Sequence, residues 1–275
     1  MTASLRGLRV PRVAGILAAV ALAVVSGCAT PAGAPDPALQ RLLAPSGTLR
    51  VGVYPGSPTS IIGDPASGGA KGVGHDLGRE LAQRLGVPFE PVVFAKNADV
   101  LAAVKLGQVD VTFTNATAAR ARDMDFSAPL LEVEQGYLVP PGSPVTALAE
   151  VDRPGIRVGV SEGSTSESVL SQEFRHALVV RAPTIKEAIG MLSAGKLDAF
   201  ATNKAILFEM SDELPGSRVV AGRWGLERFA FGIPKGRDQG LAFVNRFAQD
   251  AKAEGLVTRA VDRAGLRGTL AVQPR

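Results

Sequence analysis

The sequence predicts an α/β protein made of two similar lobes, and a repeated pair of short phrases is the main observation behind this prediction. The stretch Leu49–Val53 (LRVGV) returns as Ile156–Val160 (IRVGV), and Leu106–Asp110 (LGQVD) returns as Ala194–Asp198 (AGKLD). The first phrase is typical of a buried strand that leads into a loop, and the second ends a helix at glycine before another strand. Two such units predict two central sheets flanked by helices, with a ligand cleft beyond the carboxyl ends of the strands. Chance is the alternative explanation, because glycine and valine are common in this chain.

The beginning of the chain is typical of a bacterial lipoprotein signal. Three arginines, the last at Arg12, precede an uncharged run over residues 13–25 that is too short for a comfortable membrane span. Residues Val25–Cys28 (VSGC) resemble the lipobox, whose cysteine is acylated and becomes the new N-terminus. We therefore expect a signal peptide over 1–27, lipidation at Cys28 and a Pro/Ala-rich tether over 28–47. The alternative is ordinary signal cleavage near an unused cysteine.

Composition argues against several classes of function. Removal of the signal peptide takes away three of the 30 basic side chains and none of the 26 acidic ones, so the mature chain is nearly neutral. A nearly neutral chain gives no reason to expect a nucleic-acid partner. Cys28 is the single cysteine and the chain has two histidines, so we expect no disulfide within the chain, no metal site and no cofactor.

The first lobe is predicted to alternate strands and helices up to a first crossing between the lobes. Leu77, Leu81 and Leu85 recur at helical spacing behind Asp76, a residue type that caps helices. The predicted elements are strand 48–54, a helix from Asp76 to Leu85, strand 89–94, helix 97–106 and strand 109–113. An extended stretch at 132–139 then crosses into the second lobe.

The second lobe is predicted to repeat this alternation before the chain returns to the first. Its predicted elements are strand 156–160, a helix from 165, strand 178–181, helix 184–194, strand 197–201, helix 203–211 and strand 217–221. Phe229–Ile233 alternates apolar and small residues and is predicted to cross back, ahead of C-terminal helices over 238–264. The predicted domains are 48–137 with 231–270 for the first lobe and 138–230 for the second.

One longer motif carries a family resemblance. Residues Thr117–Pro129 (TAARARDMDFSAP) resemble the T-x-x-R-A-x-x-x-D-F-S-x-P signature of the family 3 extracellular solute-binding proteins, the receptors of polar amino-acid ABC importers. Further phrases of that family follow in order between Leu49 and about Leu266: 49–53, 74–77, 107–110, 163–165 and 195–199. The resemblance implies the type 2 periplasmic-binding fold, two α/β lobes joined by two crossover strands that close on a solute. It also implies a monomer in the periplasm or cell envelope whose partners are a small solute and an inner-membrane ABC permease, with Cys28 as its membrane anchor.

The resemblance also implies the ligand site. Its predicted residues are Tyr54, Thr114, Asn115, Thr117, Arg120, Ser164, Thr165 and Asn203. Arg120 takes the position of the family's carboxylate-binding arginine, and a planar guanidinium suits that role. Plain N-capping is the alternative role for Ser164 and Thr165, and loop anchoring for Tyr54. The chain is two residues shorter than the family pattern before Arg120, so Thr114 and Asn115 match the contact loop only approximately.

One departure from the family pattern bears on the choice of ligand. The aspartate that usually binds a ligand α-ammonium falls at Asn203, and a neutral amide cannot offset a buried ammonium charge. Glu134 and Asp125 are the nearest alternative acids in the sequence. The sequence therefore predicts a small organic anion, or an amino-acid derivative without a free α-ammonium, as the solute.

Two enzyme interpretations and one signalling interpretation compete with solute binding. Gly159–Gly163 fits the G-x-S-x-G nucleophile motif, but the only histidine that follows, His176, is too near in sequence to fold back onto it. Cyclohexadienyl dehydratases resemble these receptors, and Glu132 or Glu134 is then a candidate general acid; the alternative is a solvent-facing pair. His75 is expected to be a packed or capping residue. A receptor that passes its closed form to a sensor has the same sequence features, and we expect no catalysis.

Overall fold

The computed structural model describes residues 1–2 and 36–270. Its helices are α1 (Pro37–Leu43), α2 (Val73–Leu85), α3 (Asn97–Lys105), α4 (Thr165–Glu173), α5 (Ile185–Ser193), α6 (Lys204–Glu213), α7 (Asp238–Ala253) and α8 (Leu256–Ala264). Its strands are β1 (Leu49–Val53), β2 (Phe89–Val93), β3 (Val111–Asn115), β4 (Met124–Phe126), β5 (Leu131–Val139), β6 (Arg157–Ser161), β7 (Leu178–Ala182), β8 (Ala199–Asn203), β9 (Arg218–Val219), β10 (Gly225–Pro234) and β11 (Thr269–Leu270). None of the helices within these described residues is long and apolar enough to cross a membrane. Most of the predicted signal peptide, and Cys28, lie outside the described residues.

The two lobes have the same strand order, as the repeated phrases predict. In the first lobe the order is β2-β1-β3-β10, with β4 on the other side of β10. In the second lobe the order is β7-β6-β8-β5, with β9 added to β5. The first three strands of each lobe are parallel, and the last is antiparallel to them. The fold is therefore a mixed α/β fold of two similar lobes.

Two strands, β5 and β10, connect the lobes and pair with each other. Gln135 is the residue at which β5 changes partner from β10 to β8, and Phe229 is the residue at which β10 changes partner from β5 to β3. The second crossing is thus made by residues 225–229, ahead of the predicted 229–233. Tyr137 packs in the second lobe, so the boundary predicted after residue 137 lies two residues too late. Register between strands, which no local pattern determines, sets these boundaries.

The segment before β1 is part of the first lobe and not a tether throughout. Asp36 accepts a hydrogen bond from the backbone N–H of Ala38 at 2.8 Å and caps α1, which has proline in its first turn. Leu43 is 1% exposed and belongs to the core of the first lobe. The tether predicted over 28–47 is therefore corrected for residues 37–47, because the apolar end of α1 is buried by the lobe.

The helix predicted to start at Asp76 also begins earlier. Helix α2 starts at Val73 behind Gly72, and Asp76 is a buried residue of its first turn. The carboxylate of Asp76 contacts His75 Nδ1 and accepts a hydrogen bond from Arg263 of α8, both at 2.8 Å. Asp76 therefore ties α2 to the C-terminal helices, which pack on the first lobe as predicted.

The repeated phrases build the same ion pair in each lobe. Arg50 donates to Asp110 from its backbone N–H, Nε and Nη2, at 3.0, 3.0 and 2.8 Å. Arg157 donates to Asp198 from the same three groups at 2.8, 2.8 and 2.9 Å. These aspartates end their turns, so β3 and β8 begin one residue later and lie two residues beyond the predicted 109–113 and 197–201. Each bidentate pair locks a turn to the first strand of its lobe.

Candidate ligand-binding site

A cavity lies where the carboxyl ends of strands from both lobes meet. Its volume, counted as the space open to the centre of a water molecule, is about 40 Å³. Its lining residues are Tyr54, Pro55, Ala95, Lys96, Asn97, Thr114, Asn115, Arg120, Ser161, Ser164, Thr165, Pro183, Thr184, Ile185, Thr202, Asn203, Ile206, Glu227 and Phe229. All of the predicted site residues except Thr117 are among them. Most of the lining side chains are polar, so the cavity suits a small polar solute.

Arg120 follows β3 in a short 3-10 turn and its guanidinium reaches the cavity. Its Nη1 donates to the hydroxyl of Thr114 at 2.8 Å and to the carbonyl of Asn115 at 3.2 Å. Burial lowers the pKa of Arg120, while the charge of Glu227 raises it in part. Thr117 accepts a hydrogen bond from the backbone N–H of Arg120 at 3.2 Å, so Thr117 positions the turn from outside the cavity. Arg122 is exposed.

The lobes contact each other around the cavity. Asn115 Nδ2 donates to the Thr165 hydroxyl at 3.0 Å, and Arg120 Nη2 donates to the carbonyl of Gly163 at 3.3 Å. Gly163 has a φ of +70°, and a Cβ at this position would lie 2.9 Å from Cβ of Ala98 in the first lobe. A larger residue would therefore hold the lobes apart. These contacts leave little free volume and place both lobes around the same small space.

One ion pair also bridges the lobes at the cavity. Lys96 Nζ lies 2.5 Å from Oε2 of Glu162. The hydrogen bond to Lys96 lowers the pKa of Glu162, and the same bond raises the pKa of Lys96. Both side chains are partly exposed, so solvent screens this pair and it contributes little to stability.

Two helices of the second lobe begin at the cavity. Ser164 caps α4 by accepting a hydrogen bond from Glu167 N–H at 3.0 Å, so Ser164 is both a cap and a lining residue. Asn203 caps α6 by accepting from Ile206 N–H at 3.2 Å. The first-turn N–H groups of a helix and the positive end of its dipole favour a negatively charged group. This end of the second lobe therefore suits a carboxylate.

Tyr54 lines the cavity just after β1. Its backbone N–H donates to the Ser60 hydroxyl at 2.9 Å, so the loop that follows the strand is tied to the residue. Burial raises the pKa of the Tyr54 phenol, with a smaller contribution from the charge of Glu227. The phenol is therefore protonated at neutral pH and offers a hydrogen-bond donor next to the cavity.

Glu227 is a cavity residue that the sequence reasoning missed. The residue is 6% exposed and lies on the part of β10 that pairs with β5. Asn203 Nδ2 donates to its Oε2 at 3.0 Å and Gln135 Nε2 donates to its Oε1 at 3.3 Å. Burial raises the pKa of Glu227, while the charge of Arg120 and the hydrogen bonds from Asn203 and Thr165 lower it in part. Its position could have been found from the alternation of apolar residues at 229, 231 and 233. Extending this period of two by one step places residue 227 on the same inner face of the strand.

The acids proposed from the sequence lie elsewhere. Glu134 pairs with Lys204 Nζ at 2.6 Å, and Asp125 pairs with Lys235 Nζ at 2.9 Å. Glu132 pairs with Arg228 Nε at 2.9 Å. None of these carboxylates lines the cavity. The general-acid role considered for Glu132 and Glu134, and the ammonium-binding role considered for Glu134 and Asp125, are therefore wrong, because each acid is paired outside the site.

The histidines take no part in the cavity. The ring of His75 lies edge-on to Phe89, with centroids 5.2 Å apart, so the expectation of a packed residue is confirmed. Ser161 ends β6 and lines the cavity, whereas His176 lies after α4 and is not among the lining residues. Within the described part of the chain, no group of three or more His, Cys, Asp or Glu residues could hold a metal ion.

Comparison with known proteins identifies relatives of this chain and of its fold. The family described as bacterial extracellular solute-binding proteins, family 3, matches residues 49–265. The ABC transporter glutamine-binding protein GlnH of Bacillus subtilis is 25% identical over 197 residues, which cover 70% of this chain and 71% of GlnH. The L-cystine-binding protein TcyJ of Escherichia coli K12 is 25% identical over 248 residues, or 87% of this chain and 90% of TcyJ. An ancestral arginine-binding protein bound to glutamine superposes with a TM-score of 0.71 at 27% identity, covering 79% of this chain and 97% of that one.

Proposed function

Because the chain belongs to the bacterial extracellular solute-binding proteins of family 3, we propose that it is the receptor of an ABC importer and captures a small amino-acid-like solute by its carboxylate. The observation that carries this proposal is the guanidinium of Arg120 in a small, mostly polar cavity between the lobes. GlnH and TcyJ, the curated relatives, are named for binding glutamine and cystine. A carboxylate between Arg120 and the N-terminus of α4 receives charge-assisted hydrogen bonds from both lobes.

Contacts from both lobes to one solute also couple solute binding to closure of the lobes. A solute that contacts Arg120 in the first lobe and Thr165 in the second favours the arrangement in which Asn115 and Thr165 are bonded. A ligand shifts an equilibrium only by its different affinities for the two states, and contacts from both lobes are available only when these meet. We therefore propose that the open and closed lobes exchange around β5 and β10, and that a permease recognises the closed form.

The proposed location follows from the N-terminus. Val25–Cys28 resembles a lipobox, and acylation at Cys28 would hold the receptor at the surface of a membrane in the cell envelope. The remaining part of the predicted tether, 28–35, would then separate the acyl chains from the first lobe.

A thermal-shift screen tests the binding proposal. The probes are the common L-amino acids and L-cystine, each compared with its α-carboxamide, which keeps the side chain and removes the carboxylate. We expect at least one amino acid to raise the midpoint of unfolding, because stabilisation follows the ratio of free ligand to dissociation constant. Its α-carboxamide should give a much smaller shift. Equal shifts for acid and carboxamide, or no shift with any probe, would contradict the proposal.

A further inference from the structure

A carboxylate is buried on β10, one of the two strands that connect the lobes, and no cation among the described residues is bonded to it. Glu227 lies on β10 opposite Val133 of β5, and its side chain lines the cavity. Its hydrogen-bond partners are the side-chain amides of Asn203 and Gln135, and the hydroxyl of Thr165 also lowers its pKa. Amides are neutral, so they orient the carboxylate without neutralising its charge. A buried charge of this kind is costly unless an opposite charge reaches it.

The carboxylate of Glu227 retains capacity for a ligand. Two oxygens offer about four acceptor positions, and the two amide donors at 3.0 and 3.3 Å use one position on each oxygen. Of the two cations that line the cavity, Lys96 pairs with Glu162, and Arg120 donates its hydrogen bonds to Thr114 and to the carbonyls of Asn115 and Gly163. Within the described part of the chain, Arg120 and Glu227 are thus the charged lining groups that have no oppositely charged side chain bonded to them.

A positive and a negative group around one small cavity match a zwitterion. A carboxylate on the ligand satisfies Arg120, and an ammonium on the same ligand satisfies Glu227. Both groups line the same cavity, and the charge of each alters the pKa of the other. A simple organic anion would satisfy Arg120 and add a second negative charge beside Glu227, which is unfavourable in a buried site.

We propose that Glu227 binds the α-ammonium of the solute, and that the solute is therefore a zwitterionic α-amino acid. This inference rests on the proposed carboxylate-binding function of Arg120. It replaces the anion predicted from Asn203, because the carboxylate absent at residue 203 is supplied from β10. Asn203 keeps a supporting role: its amide orients Glu227, and its oxygen caps α6.

Calorimetry with modified amino acids tests the inference on the unaltered protein. The probes are the common L-amino acids and the N-acetyl and desamino derivatives of each, which keep the carboxylate and lose the ammonium. We expect the derivatives to bind at least about 30-fold more weakly, the loss typical of leaving a buried charge without its partner. Equal or tighter binding of the desamino acids overturns the inference and leaves the carboxylate-binding function intact.

Matched variants assign the effect to Glu227. Glu227→Gln keeps the shape of the side chain and should lose at least about 30-fold in affinity for the amino acid. Its affinity for the desamino acid should stay the same or rise. Glu132→Gln makes the same change on the paired strand, outside the cavity, and should bind as the parent protein does. The double variant Glu227→Gln, Asn203→Asp returns a carboxylate to the cavity at α6 and should recover most of the lost affinity.

The outcomes separate the inference from the proposed function. Unchanged amino-acid affinity in Glu227→Gln, with binding still lost in Arg120→Ala, overturns the ammonium site alone. Failure of every amino acid and every desamino acid to bind overturns both proposals. Should Glu227→Gln fail to fold by circular dichroism, the comparison of derivatives on the parent protein still decides the inference.

Discussion

Asn203 Nδ2 donates a hydrogen bond to Glu227 Oε2 over 3.0 Å, joining the N-terminus of α6 to the strand that connects the lobes. The same asparagine accepts a hydrogen bond from Ile206 N–H at 3.2 Å through its other terminal atom. A side-chain amide can donate on one side and accept on the other, whereas an aspartate carboxylate at residue 203 could only accept and would repel an ionised Glu227. The departure from the family pattern at residue 203 and the buried acid at residue 227 are therefore two parts of one arrangement.

Exchange of this amide for an acid tests the arrangement. Asn203→Asp places a second carboxylate against Glu227 and removes a hydrogen-bond donor from it. We expect the free energy of unfolding to fall by about 1–3 kcal/mol at neutral pH, the cost of an unsatisfied buried polar group. Urea unfolding measures the change. The matched control is the double variant with Glu227→Gln, which restores one donor–acceptor pair and should recover most of the loss; a single variant as stable as the parent contradicts the expectation.

Removal of the charge at residue 227 should stabilise the protein when no ligand is bound. Burial is the largest cause of the raised pKa of Glu227, whose ordinary value is 4.5, and the charged or titratable groups that face it are Arg120 and Tyr54. A carboxyl with a raised folded pKa favours folding fully below its unfolded pKa, and this contribution is lost as pH rises through the folded pKa. Glu227→Gln should therefore be more stable than the parent at pH 7.

The control for this prediction is the pH dependence of the stability difference between Glu227→Gln and the parent. As the pH falls below the ordinary pKa of 4.5, Glu227 becomes protonated in both the folded and the unfolded state, so the midpoints of thermal unfolding of Glu227→Gln and the parent should converge. The comparison variant Glu132→Gln loses a partly exposed ion pair with Arg228 and should show no such gain at pH 7. A lower midpoint of thermal unfolding for Glu227→Gln than for the parent, at pH 7 without ligand, would contradict the prediction.

Arg120 and Arg122 form a matched pair for ligand binding. Arg120 lines the cavity and is bonded to Thr114, whereas Arg122, in the same 3-10 turn, is exposed. Arg120→Ala should weaken binding of the cognate solute by about 2–5 kcal/mol, or roughly 30-fold to several thousand-fold. Arg122→Ala should change it little. Calorimetry on both variants measures the affinity. Equal losses of affinity would contradict the carboxylate-binding role of Arg120.

The ion pairs repeated in the two lobes differ in burial, so their effects on stability can be compared within one protein. The side chain of Asp110 is 0% exposed beside Arg50, and that of Asp198 is 32% exposed beside Arg157. Asp110→Ala should lower the free energy of unfolding by about 1–3 kcal/mol, since the backbone N–H and the partly buried guanidinium of Arg50 lose their acceptor. Asp198→Ala should cost less, because water screens the second pair. Urea unfolding of the two variants gives the order directly, and a larger loss at Asp198 would contradict it.

The intact mass of the mature protein tests whether Cys28 carries a lipid anchor. We expect the mature protein to begin at Cys28 and to carry acyl chains, because the residues before it resemble a lipobox. Cys28→Ser should release the protein into the soluble fraction or block its processing. Intact-mass measurement of the membrane-extracted protein decides the matter: an unacylated chain that begins at another residue excludes the anchor.

The local patterns were sufficient to predict most of the fold. Glycines after helices and β-branched strands depend on residues close in sequence, so the alternation of elements in both lobes could be derived. The motif Thr117–Pro129 identified the family, and the family match over 49–265 confirms it. Less could be predicted of α1, because its burial depends on Leu43 reaching a core formed by later parts of the chain.

The sequence by itself determined that two similar α/β units exist, that Arg120 belongs to a solute-binding motif and that residue 203 lacks the usual acid. Only the tertiary structure decided which acid lies beside residue 203 in the cavity. Glu134 and Glu227 both lie on the connecting strands, and the pairing of β5 with β10 directs Glu227 into the cavity while Glu134 pairs with Lys204 outside it. The physical reason is that a strand turns successive side chains to opposite faces, so a carboxylate's role depends on register and on which face the second lobe covers.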